Sequence, residues 1–388
     1  MCKRILVDLS YISNSDKLRE SVAIYAIRVL LEWNSIDKKC VHLLVHDDMK
    51  KVFLEKNPNF CIESYPADNR IIQKIPYLRG VYRLLKWRRV VNRLEYDVIY
   101  LPFCWSGNSL KVRGRKVITI HDLRPMRVTD RFLSNTWWFK ALGLKRIYLK
   151  ISKHFFSCHL KNAWKVICIS NYVREDVAKT WPSYSYKMKT VYNGITLSKY
   201  SSKPSLVSEK LEYILYVNSL ARYKNILTLI KAYSLSYDKL QAFKIVIVGK
   251  ITEYWDTEVL PYIKKNNLES SICHIDYVSD SELRWLYEHA KVFVTTSIHE
   301  GFGYTPIEAA SCKCPVISSR SESLVDVTAN KLFYYSPATS EVELSQCLKF
   351  VLSLSPKDMN LKAISDFFKE RYNQTMLSTE IFNLLIEK

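Results

Sequence analysis

The chain has 388 residues, 48% hydrophobic and 13% aromatic, and carries 58 Lys+Arg against 38 Asp+Glu for a net charge of +20. That composition excludes a disordered chain, and the length suits two domains, each with its own core. No apolar run approaches the ~18 residues of a membrane-spanning helix. The N-terminus, MCKRILVDLS, lacks the apolar core and cleavage site of a signal peptide. Ten cysteines without a CxxC pair read as reduced, buried thiols of a cytoplasmic protein, neither a disulfide frame nor a zinc site. The positive charge is uneven. Residues 1–200 hold 37 Lys+Arg against 16 Asp+Glu (+21), and residues 201–388 hold 21 against 22 (−1). An excess confined to one half points to an anionic partner for that half: a membrane surface, a nucleic acid or an acidic substrate.

In chain order, Lys3 to Leu9 reads as a strand and Leu18 to Trp33 as an amphipathic helix. Val41 to His46 is the next strand and Arg70 to Arg93 a long basic helix. Tyr96 to Phe103 and Lys116 to Ile120 are further strands, followed by a helical, aromatic-rich stretch from Thr136 to Lys161 and the strand Lys165 to Ile169. The Asn193-Gly194 turn closes this half, and the polar run Leu197 to Lys210 reads as an interdomain linker or an ordinary surface loop. The alternation then restarts with strands at Tyr213 to Val217, Phe243 to Val248 and Ile272 to Ile275. Helices fall at Asn225 to Ser236, Glu253 to Lys265 and Asp280 to His289, and two more at Ser340 to Ser353 and Asp358 to Ile386. Repeated strand–helix alternation predicts two parallel α/β domains, with a ligand in the cleft between facing strand ends.

The stretch from Lys291 to Ser319 carries the densest chemistry. A β-branched and aromatic run, Val292 to Thr296, and a second strand, Cys314 to Ser318, flank a loop with Glu300-Gly301-Phe302-Gly303 and a short helix. Its glycines let backbone approach a ligand, and a helix N-terminus at the end of a parallel strand is where α/β folds hold phosphates. Glu308 lies eight positions after Glu300. It reads as a second ligand contact or, with Thr305 as N-cap and Pro306 at the first helical position, as the acid of a capping box. Glu300 reads as a ligand contact or a solvated loop acid.

Glu300-x7-Glu308 with GFG between, followed by Cys314-Pro315-Val316-Ile317-Ser318, resembles the donor-sugar loop of the retaining family 4 glycosyltransferases of GT-B fold. The resemblance implies that Glu300 contacts the donor sugar and Glu308 the nucleotide ribose. The amides from Gly301 through Phe302, Gly303 and Tyr304 to Thr305 would hold the pyrophosphate. His121 in TIHDL resembles the family's His near the transferred sugar, and is otherwise a hydrogen-bonded loop histidine. YILYVNSLARYKN resembles the family's VGSL-x-x-RKN, which puts Lys224 on the phosphate-contacting Lys. Asn218 stands for the usual Gly and Tyr223 for the usual Arg, so Arg222 is the candidate second cation. Tyr277 and Val278 fall in the loop that holds the base in related proteins. The stretch Asn14 to Lys17 lacks the glycines that relatives carry there, and there is no Asp-x-Asp pair to hold a metal.

The fold class expected is α/β of GT-B type, two Rossmann-like domains facing across a cleft. Residues 1–195 form the acceptor side, 196–365 the donor side, and 366–388 a helix crossing back to the first domain. The activity expected is a metal-independent, retaining hexosyltransferase without a cofactor. A nucleotide diphosphate sugar is the donor, GDP-mannose on the resemblance to bacterial surface-polysaccharide mannosyltransferases, with UDP and dTDP sugars open. The acceptor expected is a lipid-linked saccharide. The basic helix predicts peripheral attachment to the anionic inner face of the cell membrane through Arg83, Lys86, Trp87, Arg88 and Arg89, or else a core-packed helix with solvated cations. A sugar-nucleotide epimerase on the same architecture is the rival enzyme. A basic nucleic-acid-binding protein is the non-enzymatic rival, but no recognised module supports it, and nucleic acid is not an expected partner.

Overall fold

The structure, a computed structural model, describes residues 3–33, 40–68, 76–123 and 144–387. It divides into two compact units: Met1–Gly194 with Gln374–Lys388, and Ile195–Asn373. The first unit holds strands β1 (Ile5–Asp8), β2 (Val41–His46), β3 (Cys61–Tyr65), β4 (Val98–Leu101), β5 (Arg115–Ile120), β6 (Lys165–Cys168) and β7 (Met188–Thr190), in spatial order β3-β2-β1-β4-β5-β6-β7. The second holds β8 (Tyr213–Val217), β9 (Lys244–Val248), β10 (Ile272–Ile275), β11 (Val292–Thr295), β12 (Val316–Ser319) and β13 (Phe333–Tyr335), ordered β10-β9-β8-β11-β12-β13. Every pairing is parallel. Parallel strands are covered on both faces, so they read as continuous apolar runs. ILVD, VIYL and VFVT are indeed buried at all four positions.

Each sheet reverses direction of winding beside its first strand, between β1 and β4 and between β8 and β11. Doubly wound sheets bind ligands at the carboxyl ends of strands flanking such a reversal. The short strands β3, β7 and β13 are not anticipated from sequence, because CIESY, MKT and FYY are too short or too polar to stand out.

Three expectations change. The beginning of the polar run read as a linker, residues 198–202, is tied to the helix Asp280–His289 within the second unit: Arg284 donates to the Ser198 carbonyl (2.5 Å), Ser201 to Glu288 (2.7 Å) and the Ser202 amide to the Ser281 carbonyl (3.2 Å). The single helix expected from Asp358 is two, Leu361–Arg371 and Gln374–Ile386. Buried Tyr372 breaks them apart, its ring stacked on Phe368 and its hydroxyl donated to the Val327 carbonyl, so residues 366–373 stay with the second unit. The last helix packs on Ser21–Glu32 of the first unit, where Trp33 donates to the Ser378 carbonyl (2.8 Å) and meets the Phe382 ring edge-on at 5.5 Å. The third change is Cys40, which is disulfide-bonded where a free thiol was expected; eight other described cysteines are free.

The basic helix is described as Pro76–Leu94, so its expected beginning at Arg70 lies outside the described residues. Trp87 is a core residue, not a membrane contact: it is 0% exposed and donates to buried Asp8 (2.9 Å). Arg83 and Lys86 both turn back onto Asp68, at 2.5 and 3.1 Å. Burial raises the Asp68 carboxyl, but hydrogen bonds and charge from Arg83 and Lys86 outweigh it and hold the group below its ordinary value. Arg88 and Arg89 are exposed, as are Val81 and Leu85. Among the described residues no helix is long and apolar enough to cross a membrane.

Candidate active site

The Glu300 loop leaves β11 and the Lys224 turn leaves β8, the two strands flanking the reversal of the second sheet. Lys224 ends a short 3-10 turn, and Asn225 takes the left-handed conformation (φ +59°) before the helix Ile226–Leu235. The Lys224 carbonyl accepts from Tyr216 (3.0 Å) and Thr296 (2.9 Å), and the Tyr223 carbonyl accepts from the Ile298 amide (2.9 Å). These bonds lace the two loops together, and the Lys224 ammonium meets the Glu300 carboxylate in an ion pair. Both side chains are nearly buried, at 10% and 12% exposure. Ser297 adds a second donor to the same carboxylate oxygen, at 3.0 Å. Glu300 is thus a partnered, enclosed carboxylate and not a solvated loop acid.

The helix Tyr304–Ser311 begins two residues earlier than a capping box at Thr305 requires. Gly303 is its N-cap (φ +90°), and no side chain caps it. That φ favours glycine, and a Cβ there would lie 2.6 Å from a Leu324 methyl, which would have to shift. Glu308 sits on the fifth helical residue, buried, and accepts from the Tyr287 hydroxyl at 3.4 Å. Burial first, then the Glu308 charge, hold the Tyr287 phenol well above its usual value, so it remains a donor. Phe302 is buried against Tyr372 (5.6 Å, edge-on) and Tyr304 (5.0 Å). Its side chain anchors the loop, leaving only its backbone for a ligand.

Arg222 does not join Lys224. It pairs with Glu258 and lies over the Tyr254 ring at 4.8 Å. Asn218, where the family usually has glycine, lies against Gly249 (φ +152°), whose Cβ would sit 1.8 Å from the Asn218 carbonyl oxygen. In the loop after β10, Tyr277 is 80% exposed and Val278 is buried. Ser279 and Glu282 then form the capping box of the next helix.

Sequence reasoning missed what holds the Glu300 loop in shape. Glu322 accepts the Glu300 amide (2.7 Å) and His299 Nδ1 (2.8 Å). Ser323 donates to the Glu300 carbonyl (2.8 Å) and Ser319 to the Ser297 carbonyl (2.8 Å). The Ser-rich run SSRSES, which ends β12 and forms the turn after it, was the available signal, since such side chains bond nearby backbone.

In the first unit, His121 follows β5. Its Nε2 donates to the Pro102 carbonyl (2.8 Å), which fixes the proton there and leaves Nδ1 as an acceptor when the ring is neutral. The ring stands edge-on to Tyr25 at 4.9 Å. Burial lowers its pKa, partly countered by the Pro102 bond, so the neutral form is favoured. The loop after β1 closes through Asn14, which accepts from the Lys17 amide (3.1 Å), in place of the glycines of relatives. Among the described residues no three His, Cys, Asp or Glu are grouped to hold a metal ion.

The description "Glycosyl transferases group 1" matches residues 199–365, and "Glycosyltransferase Family 4" matches residues 41–199. The O-antigen chain mannosyltransferase RfbU of Salmonella typhimurium is 29% identical over 234 residues, 60% of each chain. The O-antigen chain mannosyltransferase B of Escherichia coli is 28% identical over 67% of each. The alignment thus spans less than two thirds of the Salmonella relative's length. Among solved structures, HepE of Anabaena in complex with UDP-glucose superposes with a TM-score of 0.71 at 16% identity, covering 99% of both chains. WaaG, a glycosyltransferase involved in lipopolysaccharide biosynthesis, gives 0.68 at 13% identity, covering 99% of this chain and 100% of that one. Two doubly wound parallel sheets, the matched family descriptions and these likenesses agree: the chain belongs to glycosyltransferase family 4 and has the GT-B fold.

Proposed function

We propose that the protein is a retaining hexosyltransferase that moves mannose from GDP-mannose to a hydroxyl of a lipid-linked saccharide during synthesis of a bacterial surface polysaccharide. The observation that carries this reading is the Lys224–Glu300 pair beside an uncapped helix N-terminus, at the carboxyl ends of β8 and β11. A diphosphate brings negative charge that increases as its bond to the sugar breaks. An ammonium and helix-terminal amides stabilise that charge most where water is excluded. Lys224 and the Gly301–Thr305 backbone supply this without a metal. Glu300, which shares the ammonium, accepts hydroxyl groups of the sugar, and buried Glu308 takes the ribose. In this reading His121 offers Nδ1 to the reacting centre. Mannose as the sugar is supported by the mannosyltransferase names of the relatives, and retention by the family resemblance alone.

The same reading places the protein at the inner face of the membrane without a span. Val81, Leu85, Arg88 and Arg89 fall at helical spacing on one exposed face, in the half that holds the charge excess. A thermal-shift panel of GDP, UDP, dTDP and their sugars tests the donor, because a ligand that binds only the folded state raises its melting temperature. A shift with GDP and GDP-mannose alone is expected; a shift with UDP ligands instead overturns the donor assignment. Sugar-nucleotide turnover without any added glycan points to the epimerase.

A further inference from the structure

We infer that Glu322 is a positioning residue for Glu300, setting the peptide that aims the Glu300 carboxylate; this rests on the donor-site reading above. Glu322 stands in the turn after β12, at φ +46° and ψ −124°, a conformation open to glycine and rarely adopted by residues with a Cβ. A residue that only linked strand to helix would gain nothing from holding a side chain there. Its carboxylate accepts from the Glu300 amide at 2.7 Å and from His299 Nδ1 at 2.8 Å. It is mostly enclosed, at 19% side-chain exposure. The next residue, Ser323, donates to the Glu300 carbonyl (2.8 Å) and the Phe302 carbonyl (3.3 Å).

Both peptide planes around Glu300 are therefore held from one turn, the N–H side by Glu322 and the C=O side by Ser323. On its other side, the Glu300 carboxylate is held by Lys224 and Ser297. With backbone and carboxylate both fixed, the side chain keeps one direction even when a diphosphate competes for the Lys224 ammonium. Strained conformations persist where the surroundings enforce them, and they gather where the strain serves orientation. Glu322 joins that strain to the acid proposed to contact the sugar, while itself touching neither sugar nor phosphate in this reading.

The inference makes stability and turnover part company. Glu322→Gly removes both the carboxylate and the backbone strain; Glu322→Gln keeps the strain and retains one acceptor for the Glu300 amide. Melting temperature, GDP affinity by calorimetry, and kcat and KM with GDP-mannose, or with the sugar nucleotide that the panel identifies, are measured for all three proteins. The Gly variant is expected to melt at or above wild type and to bind GDP within about twofold, yet to lose about tenfold or more in kcat, since small misplacements of a sugar-orienting group cost that much. The Gln variant is expected to recover part of that loss. A Gly variant with wild-type kcat overturns the inference, as does a parallel fall of melting temperature, GDP affinity and kcat, which marks a purely structural role. Absence of turnover in the wild type overturns the donor-site reading, and this inference with it.

Discussion

Lys224 and Glu300, 76 positions apart in sequence, form an ion pair at the carboxyl ends of two adjacent parallel strands, each with about a tenth of its side chain exposed. Glu300 gives the Lys224 ammonium the kind of negative partner that a diphosphate also offers, and Lys224 neutralises the enclosed carboxylate. This also makes the pair a structural element. Removing one member of an enclosed pair leaves the other uncompensated, which costs more than the pair itself contributes.

For that reason Lys224→Met is expected to lower stability by about 2–3 kcal/mol, and adding Glu300→Gln to return most of that loss. Affinity for a nucleoside diphosphate should fall about tenfold or more in both variants, while nucleoside affinity changes little, because the lost contact is charge-assisted. Denaturant melts and calorimetry measure the two effects separately. Equal weakening of nucleoside and diphosphate would place Lys224 away from the phosphates.

Gly303 makes a second test of the loop. Its φ of +90° and the 2.6 Å approach of Leu324 to a Cβ make Gly303→Ala costly twice, in backbone and in contact. A loss of about 1–2 kcal/mol in stability is expected from the backbone alone. If the helix N-terminus holds the diphosphate, affinity should fall as well. A variant as stable as wild type would show that the loop has another conformation open to it.

Sequence patterning revealed the strand–helix alternation, both parallel sheets and the Glu300 loop, while Lys224 was singled out by the resemblance to family 4 glycosyltransferases. It did so because buried parallel strands are continuous apolar runs and the Gly-rich loop stands out between them. What it could not reveal was which charges are consumed internally. Arg83, Lys86 and Trp87 looked like a membrane-facing set, yet Asp68 and Asp8 turn all three inward. Glu300 reads from sequence as a ligand contact or a solvated loop acid, and only its partner from another loop makes it an enclosed, paired charge. Such pairings depend on where distant strands end, and no local pattern encodes that. Glu322 and the run Ser319–Ser323 escaped for the same reason: their partners come from the preceding strand's loop.

The first unit makes a pH prediction. His159 is buried, donates Nε2 to the Trp105 carbonyl (2.9 Å), and has no partner for Nδ1 among the described residues. Burial, then the nearby Lys116 charge, push its pKa down to about 3. The folded value lies below the unfolded one near 6.5, so between these values the unfolded chain binds the extra proton and stability falls as pH falls. From pH 7 to pH 5 this histidine alone accounts for about 2 kcal/mol of lost stability. His159→Gln keeps a donor for the Trp105 carbonyl but cannot titrate, and so should shrink the difference in unfolding free energy between pH 7 and pH 5 by that amount. An unchanged difference would mean that His159 is protonated, or solvated, in the folded state.

The last prediction concerns the exposed face of the helix Pro76–Leu94. Five expected membrane contacts reduce to two cations, Arg88 and Arg89, once Trp87 is in the core and Arg83 and Lys86 are paired with Asp68, but two apolar side chains join them: Val81 is 58% exposed and Leu85 is 44% exposed. Apolar residues one turn apart, followed by Arg88 and Arg89 a turn further on, match a helix that seats lightly at an anionic interface with its cations among the headgroups. Each cation near such a surface contributes about 1 kcal/mol, so the contact is weak and strongly dependent on salt. The protein should therefore sediment with vesicles containing phosphatidylglycerol at low salt, less so as salt rises, and not with neutral vesicles. Arg88→Gln with Arg89→Gln should reduce that binding several-fold, and Leu85→Gln should reduce it further, while GDP affinity and melting temperature hold. Arg83→Gln is the informative control: its charge is spent on Asp68, so it should lower stability more than vesicle binding. Vesicle binding that survives loss of Arg88, Arg89 and Leu85 but disappears with Arg83 would show that a different face meets the membrane.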